Sequence, residues 1–236
     1  IAGEVSGDKH GAVLMQELKS IDPHSKFNGV GGKKMTSEGL NSLCPIDELA
    51  VMGFWEVLKK IHFFTKLEKA ILLDIKKKAP DQVILIDYPG LNLRLAKKIK
   101  KMSNVFITFY IAPQVWAWKE KRIEILRNHI DKLLVIFPFE KEWFKNKSVD
   151  ATYVGHPILD EWKKKDIKEL RKNLKLKSKD PLLVLFPGSR RQELLRHLKI
   201  MIKCAKLIKL NIPNLQIVLG LASGLALKDR EKIPND

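Results

Sequence analysis

The sequence predicts an α/β protein, a Rossmann-type parallel sheet domain followed by the beginning of a second Rossmann-type domain. Three observations predict it. Val83-Ile84-Leu85-Ile86 and Leu182-Leu183-Val184-Leu185-Phe186 are continuous apolar runs of the kind found in parallel strands buried on both faces. Such runs alternate with stretches of helical periodicity, as in an open sheet covered by helices on both sides. Polar clusters follow the strands at Gly3–Asp8, Asp87–Asn92, Pro113–Arg122, Gly155-His156 and Gly188–Glu193, at the carboxyl ends where doubly wound sheets bind ligands.

The first turn is Ala2-Gly3-Glu4-Val5-Ser6-Gly7-Asp8. Gly3 and Gly7 can take backbone conformations closed to other residues, while Glu4, Ser6 and Asp8 supply acceptors, a hydroxyl and a helix cap. Only Ile1 precedes this turn, whereas a buried strand needs about four to six apolar residues. The chain therefore reads as an internal piece of a longer protein, and its first loop is expected to be less rigid than in an intact one. Ala12, Val13, Met15 and Leu18 predict a helix to about Ser20, and Phe27–Val30 predicts a strand ending in Gly31-Gly32. A helix over Lys33–Glu38, a short segment Asn41–Cys44 and a long helix from Gly53 to Lys78 follow.

After the strand Val83–Ile86 the pattern repeats. It predicts helix Asn92–Lys101 with Asn92 as its cap, strand Val105–Ile111, helix Glu120–Asn128, strand Leu133–Phe137, helix Glu140–Asn146 and strand Thr152–Val154. Leu159–Asp180 is dense in Lys and poor in apolar residues, an exposed connection with a short helix. Strand Leu182–Phe186, turn Gly188-Ser189-Arg190, helix Gln192–Leu210 and strand Leu215–Gly220 open the second unit, and Leu221–Asp236 ends without a closing element. The expected domains are 1–157 and an incomplete 158–236.

With 236 residues, 45% of them hydrophobic, the chain can bury one large core or two smaller ones. The 44 Lys and Arg against 27 acids give a net charge of +17, which favours anionic partners: phosphorylated ligands, acidic membrane surfaces or nucleic acid. Lysine-rich solvated helix faces would give the same balance. Cys44 and Cys204 stand alone without metal-ligand spacing, so neither a disulfide framework nor a zinc site is indicated. No apolar run approaches the roughly 20 residues of a membrane span.

Asp87 sits at a strand end before a Pro-Gly turn, where a carboxylate can act as general base on a hydroxyl or simply bond neighbouring loop amides. Trp116 and Trp118, spaced i,i+2 after a strand, cannot both point into one sheet face, and packing is the use expected of them. Lys119, Lys121 and Arg122 beside them can steer an anion or form the wet first turn of the next helix. Pro187-Gly188-Ser189-Arg190 places a helix N-terminus after a buried strand, with Arg190 able to grip a pyrophosphate. It lacks the P-loop and GxGxxG spacings, and no Asp-x-Asp pair supports a metal-bound diphosphate. Phe54, Trp55, Leu58, Ile61 and Phe64, interleaved with Lys59, Lys60 and Lys66, suit either a helix on an anionic membrane or one packed on the sheet. His10 and His156 are expected to make structural hydrogen bonds.

In their joint order AGEVSGDKHGA, GVGGKKM, LAVMGFWEVLKKI, PDQVILIDYPGLNLRLAKKIKK, YIAPQVWAWKEKRIEIL, FPFEKEWF, YVGHP and FPGSRRQE resemble the lipid-A-disaccharide synthase family, over essentially the whole chain to at least Glu193. Departures are Tyr88, where family members often carry a small residue, and the pair Phe186 and Arg191. The resemblance implies a GT-B fold, two Rossmann-like domains facing across a cleft, with acceptor mainly on the N-terminal side and donor mainly on the C-terminal side. It implies an inverting transfer of 2,3-diacylglucosamine from its UDP derivative to 2,3-diacylglucosamine 1-phosphate, without a covalent enzyme intermediate; no cofactor or metal is expected. Asp87 then becomes the candidate base, Glu4 and Ser6 substrate-binding residues, and Ser189 with Arg190 the donor-phosphate contacts.

The same resemblance turns Phe54, Trp55, Leu58, Ile61 and Phe64 into acyl-chain and membrane contacts. The protein would be cytoplasmic and peripheral on the inner face of the inner membrane, and the piece would not turn over alone. Competing readings are another GT-B UDP-sugar transferase or epimerase and a basic nucleic-acid-binding module, although no RRM, KH, zinc-finger or helix-turn-helix signature is present.

Overall fold

A computed structural model describes residues 1–45, 61–177, 179–189 and 191–221. It divides into two compact units, Ile1–Trp162 and Lys163–Asp236.

In the first unit the chain runs through α1 (Val5–Ile21), β1 (Phe27–Gly31), α2 (Lys33–Ser37), β2 (Leu40–Pro45), α3 (Ile61–Lys78), β3 (Gln82–Ile86), α4 (Pro89–Met102) and β4 (Phe106–Tyr110). A 3₁₀ turn (Glu120–Arg122), α5 (Ile123–His129), β5 (Lys132–Val135), α6 (Pro138–Lys145), β6 (Ala151–Tyr153) and α7 (Ile158–Glu161) complete it. All the strand pairs are parallel: β1 with β2, and β3, β4, β5 and β6 in that order. Ile1 and Ala2 lie between the two groups. The Ala2 N–H donates to the Val30 carbonyl at 2.9 Å on one side, and the Ile86 N–H donates to the Ile1 carbonyl at 2.9 Å on the other. Ala2 also bridges Ile86 in parallel. The order across the sheet is thus β2, β1, Ile1-Ala2, β3, β4, β5, β6. The strand order reverses beside Ile1-Ala2, which makes that position the topological switch point of a doubly wound sheet.

The core forms where the apolar runs predict it. Leu85, Ile107, Phe109 and Val135 are fully buried in the strands, and Leu91, Leu95 and Ile99 at helical spacing bring α4 onto them. Leu67, Ile71 and Ile75 do the same for α3. Each such side chain contributes about 1.5–3 kcal/mol.

Helix starts differ from the sequence reading in a consistent way. Asn92 does not cap α4: that helix begins at Pro89, with Tyr88 in the cap position, and Asn92 is buried inside it. Likewise α6 starts at Pro138 rather than Glu140. In both cases proline suits the first turn, where its missing N–H would have had no helical partner. Strands end earlier than the apolar runs do, because Ile111 is left-handed (φ 63°) and Phe137 is already the cap of α6.

The second unit contains α8 (Ile167–Asn173), β7 (Leu182–Leu185), α9 (Arg191–Asn211) and β8 (Gln216–Leu219). Asp166 caps α8 by accepting from the Lys168 N–H at 3.0 Å. β7, α9 and β8 form a unit of strand, crossover helix and parallel strand, with Leu182 opposite Gln216 and Leu185 opposite Leu219. Leu194 and Leu198 of α9 pack with Ile202 and Leu219.

Candidate active site

Two turns meet at the switch point. After Ala2 the chain enters α1 through Glu4, which occupies the cap position, and after Ile86 it enters α4 through Asp87 and Tyr88. Asp87 and Tyr88 are both left-handed, each with φ 46°. Side chains with a Cβ resist that conformation by about 1–3 kcal/mol each, and such strain persists only where surrounding contacts impose it. Here the Asp87 N–H donates to the Tyr110 carbonyl at 2.9 Å, and the Asp87 carbonyl accepts from Asn92 Nδ2 at 2.7 Å.

Gly3 and Gly7 serve a purpose other than the one their sequence suggests. Neither has a positive φ. A Cβ at Gly3 would lie 2.2 Å from Cδ1 of Tyr88, so glycine there is what allows the Tyr88 ring to lie against the first turn. Gly7, inside α1, sits close over Ala2.

Glu4 is half-buried, and its charge reaches Asp87. Burial raises the Asp87 carboxyl above its ordinary range, the Glu4 charge adds to the rise, and a hydrogen bond from the Tyr88 N–H opposes it. Burial and Glu4 also raise the Tyr88 hydroxyl, against the pull of Arg94. Ser6 is exposed on the first turn of α1. Asp8 turns the other way. Its carboxylate accepts from the N–H groups of Gly32, Lys34 and Met35 at 2.7, 3.1 and 3.0 Å, capping α2 rather than its own helix.

Glu68 of α3 is buried and accepts from Arg94 Nε of α4 at 2.6 Å and from Lys98 Nζ. Burial pushes the Glu68 carboxyl up, but the bonds from Lys98 and Arg94 outweigh it and hold it below the usual range.

A further cluster follows β4 and β5. Glu140 is 1% exposed, and its carboxylate accepts from Trp116 Nε1 at 2.9 Å and from the N–H groups of Ile136 and Phe137 at 3.2 and 3.0 Å. Trp116 therefore packs edge-on against Phe139, centroids 5.0 Å apart, while Phe137 stacks on Phe139 and meets His156. Trp118 is exposed, with Lys119 Nζ 4.7 Å and the Arg122 guanidinium 5.7 Å from its ring. Glu140 was not singled out in the sequence. Its signal was Phe137-Pro138-Phe139-Glu140, a proline at the first helical position and a glutamate at the third. The His156 ring bonds locally, Nδ1 accepting from the Ile158 N–H at 3.2 Å.

In the second unit Gly188 has φ 123° and the Ser189 N–H donates to Glu193 Oε2 at 2.9 Å. The backbone donor expected for a phosphate is thus bonded to a carboxylate of α9. Arg190, Phe54, Trp55 and Leu58 lie outside the described residues. Ile61 opens α3 with its side chain outside them, and Phe64 is half-buried, packed against the core and edge-on to Phe63. Among the described residues no group of three or more His, Cys, Asp or Glu is placed to hold a metal, and no helix is long and apolar enough to cross a membrane.

The arrangement therefore offers a strained, desolvated carboxylate with an acidic neighbour, at the carboxyl edge of a doubly wound sheet. Comparison with known proteins adds a family. The profile of the family described as lipid-A-disaccharide synthetase matches residues 1–233. Lipid-A-disaccharide synthase 1 of Legionella pneumophila (strain Paris) is 41% identical over 223 residues, 94% of this chain and 58% of the relative. The lipid-A-disaccharide synthase of Coxiella burnetii (strain Dugway 5J108-111) is 39% identical over 96% of this chain and 60% of its own length. That of Gluconobacter oxydans (strain 621H) is 38% identical over 99% and 56%. The chain spans somewhat over half the length of these curated relatives.

Proposed function

The chain belongs to the lipid-A-disaccharide synthetase family, and from that premise we propose that the whole protein joins UDP-2,3-diacylglucosamine to 2,3-diacylglucosamine 1-phosphate. Its products are the β-1,6-linked disaccharide 1-phosphate and UDP. The acceptor 6-hydroxyl gives its proton to Asp87 as its oxygen attacks the anomeric carbon. The bond from that carbon to the UDP oxygen breaks in the same step, and the configuration inverts. UDP departs with the electron pair, held by Ser189 and Arg190.

The observation that carries this reading is the state of Asp87, whose carboxyl is raised by burial and by Glu4. A higher proton affinity makes it a stronger base than an ordinary aspartate. Glu4 and Ser6 bind or orient the acceptor sugar from the first turn. Full-length protein assayed for UDP release with both acylated substrates tests the assignment. Asp87→Asn and Arg190→Ala are expected to lose turnover while remaining folded, and near-native activity in Asp87→Asn would remove the base.

The apolar residues Phe54, Trp55, Leu58, Ile61 and Phe64 among lysines support contact with acyl chains on the inner membrane surface, since each covered CH₂ gains about 0.8 kcal/mol. Trp55→Glu combined with Ile61→Glu is expected to weaken sedimentation with anionic vesicles and leave the circular dichroism spectrum intact. Unchanged vesicle binding would overturn the contact.

A further inference from the structure

Asn92 is fully buried within the first turns of α4, an unusual place for an amide. Its Nδ2 faces three backbone carbonyls: Asp87 at 2.7 Å, Ile86 at 3.2 Å and Ile1 at 3.4 Å. Because all three are acceptors, only one orientation of the amide fits. The consequence is that Oδ1 points into the protein with no hydrogen-bond partner among the described residues. A leucine of similar size would leave no such orphan, so what the amide supplies must lie in the carbonyls it holds.

Those carbonyls belong to the two turns of the candidate site. Ile1 leads into the turn that carries Glu4, and Ile86 and Asp87 form the turn that carries the base. One side chain therefore ties the two strand ends at the switch point to one helix. The bond from Nδ2 also grips the Asp87 peptide from one side while the Asp87 N–H is held by Tyr110 from the other. Between these two bonds the left-handed Asp87-Tyr88 pair has little freedom to relax.

We infer that Asn92 is a positioning residue for catalysis, holding the Asp87 backbone so that its carboxylate faces the acceptor hydroxyl beside Glu4. The inference rests on the reading of Asp87 as the base. Asn92 touches no substrate and acts through Asp87.

The test uses full-length protein and separates the two readings. Asn92→Leu is expected to lower kcat about 10- to 100-fold with KM changed less than about twofold, since a misplacement of about 1 Å can cost that much. In an Asp87→Asn background the same substitution is expected to cause no further loss, because the residue it positions is already disabled. Native-like kcat in folded Asn92→Leu, or a loss that multiplies with that of Asp87→Asn, would overturn the proposal. Asn92→Ala guards against a leucine that fits poorly. If neither variant folds, the amide holds the fold rather than the base, and the proposal is likewise overturned. Full activity in Asp87→Asn alone would instead remove the base reading, with the loss in Asn92→Leu then showing that the turn matters for another reason.

Discussion

Asp8, in the first turn of α1, and Asp87, directly after β3, have surroundings that treat negative charge in opposite ways. Asp8 is buried, yet backbone N–H groups of α2 replace the water it lost. Glu140 is the same case in the first turn of α6, its oxygens taken by Trp116, Ile136 and Phe137. Asp87 is desolvated beside another acid, with the Tyr88 N–H as opposing donor, and its proton affinity rises. Burial of an acid is thus no sign of chemistry by itself. What separates the candidate base from the structural acids is a shortage of donors.

The largest effect that sharpens this contrast is on turnover. Asp87→Asn should lower it by about 10²- to 10⁴-fold, and the melting temperature should stay level or rise, because a disfavoured charge has been removed. Glu140→Ala should do the reverse. With several backbone and indole donors unpaired, about 3 kcal/mol of stability should be lost in urea unfolding, and Trp116 fluorescence should shift as its tether goes. Asp8→Asn keeps an acceptor but loses the charge at the end of α2, for a cost of about 1–2 kcal/mol with turnover retained. If Asp8→Asn abolished turnover without destabilising the protein, the division between the two aspartates would fail.

The smallest effect is a shift in pH dependence. In the role proposed for Asp87 a base works unprotonated, so turnover should fall as pH drops through its raised value. Glu4→Gln removes one cause of that rise, and the acid limb should move to lower pH. The sign for stability follows from the same group: the folded protein holds this proton more tightly than the unfolded chain does. Its contribution is therefore fully present below the unfolded value of about 3.9 and is lost as pH rises through the folded one. An unchanged Glu4→Gln profile would show that the two carboxylates do not interact.

Much of this was legible in the sequence for local reasons. Val83–Ile86 is a strand because continuous apolar residues suit burial, and Asp87 is at a strand end because the run stops there; Leu182–Leu185 is also a strand, although none of its residues is fully buried. What stayed hidden depends on partners distant in the chain. Asp8 looks like a cap and is one, but for a helix 24 or more residues away. Asn92 looks like a cap because asparagine favours that position, whereas its amide is spent on carbonyls that include Ile1, 91 residues back. The meeting of Glu4 with Asp87 follows from strand order, which local periodicity does not encode.

The contact between Gly3 and Tyr88 has a consequence for how this surface can change by mutation. A methyl group at position 3 and a ring at position 88 demand the same space, with the built Cβ 2.2 Å from the ring. The two positions are therefore epistatic. Gly3→Ala should be harmful in the present background and tolerated after Tyr88→Ala, so one order of substitution is open and the other is closed.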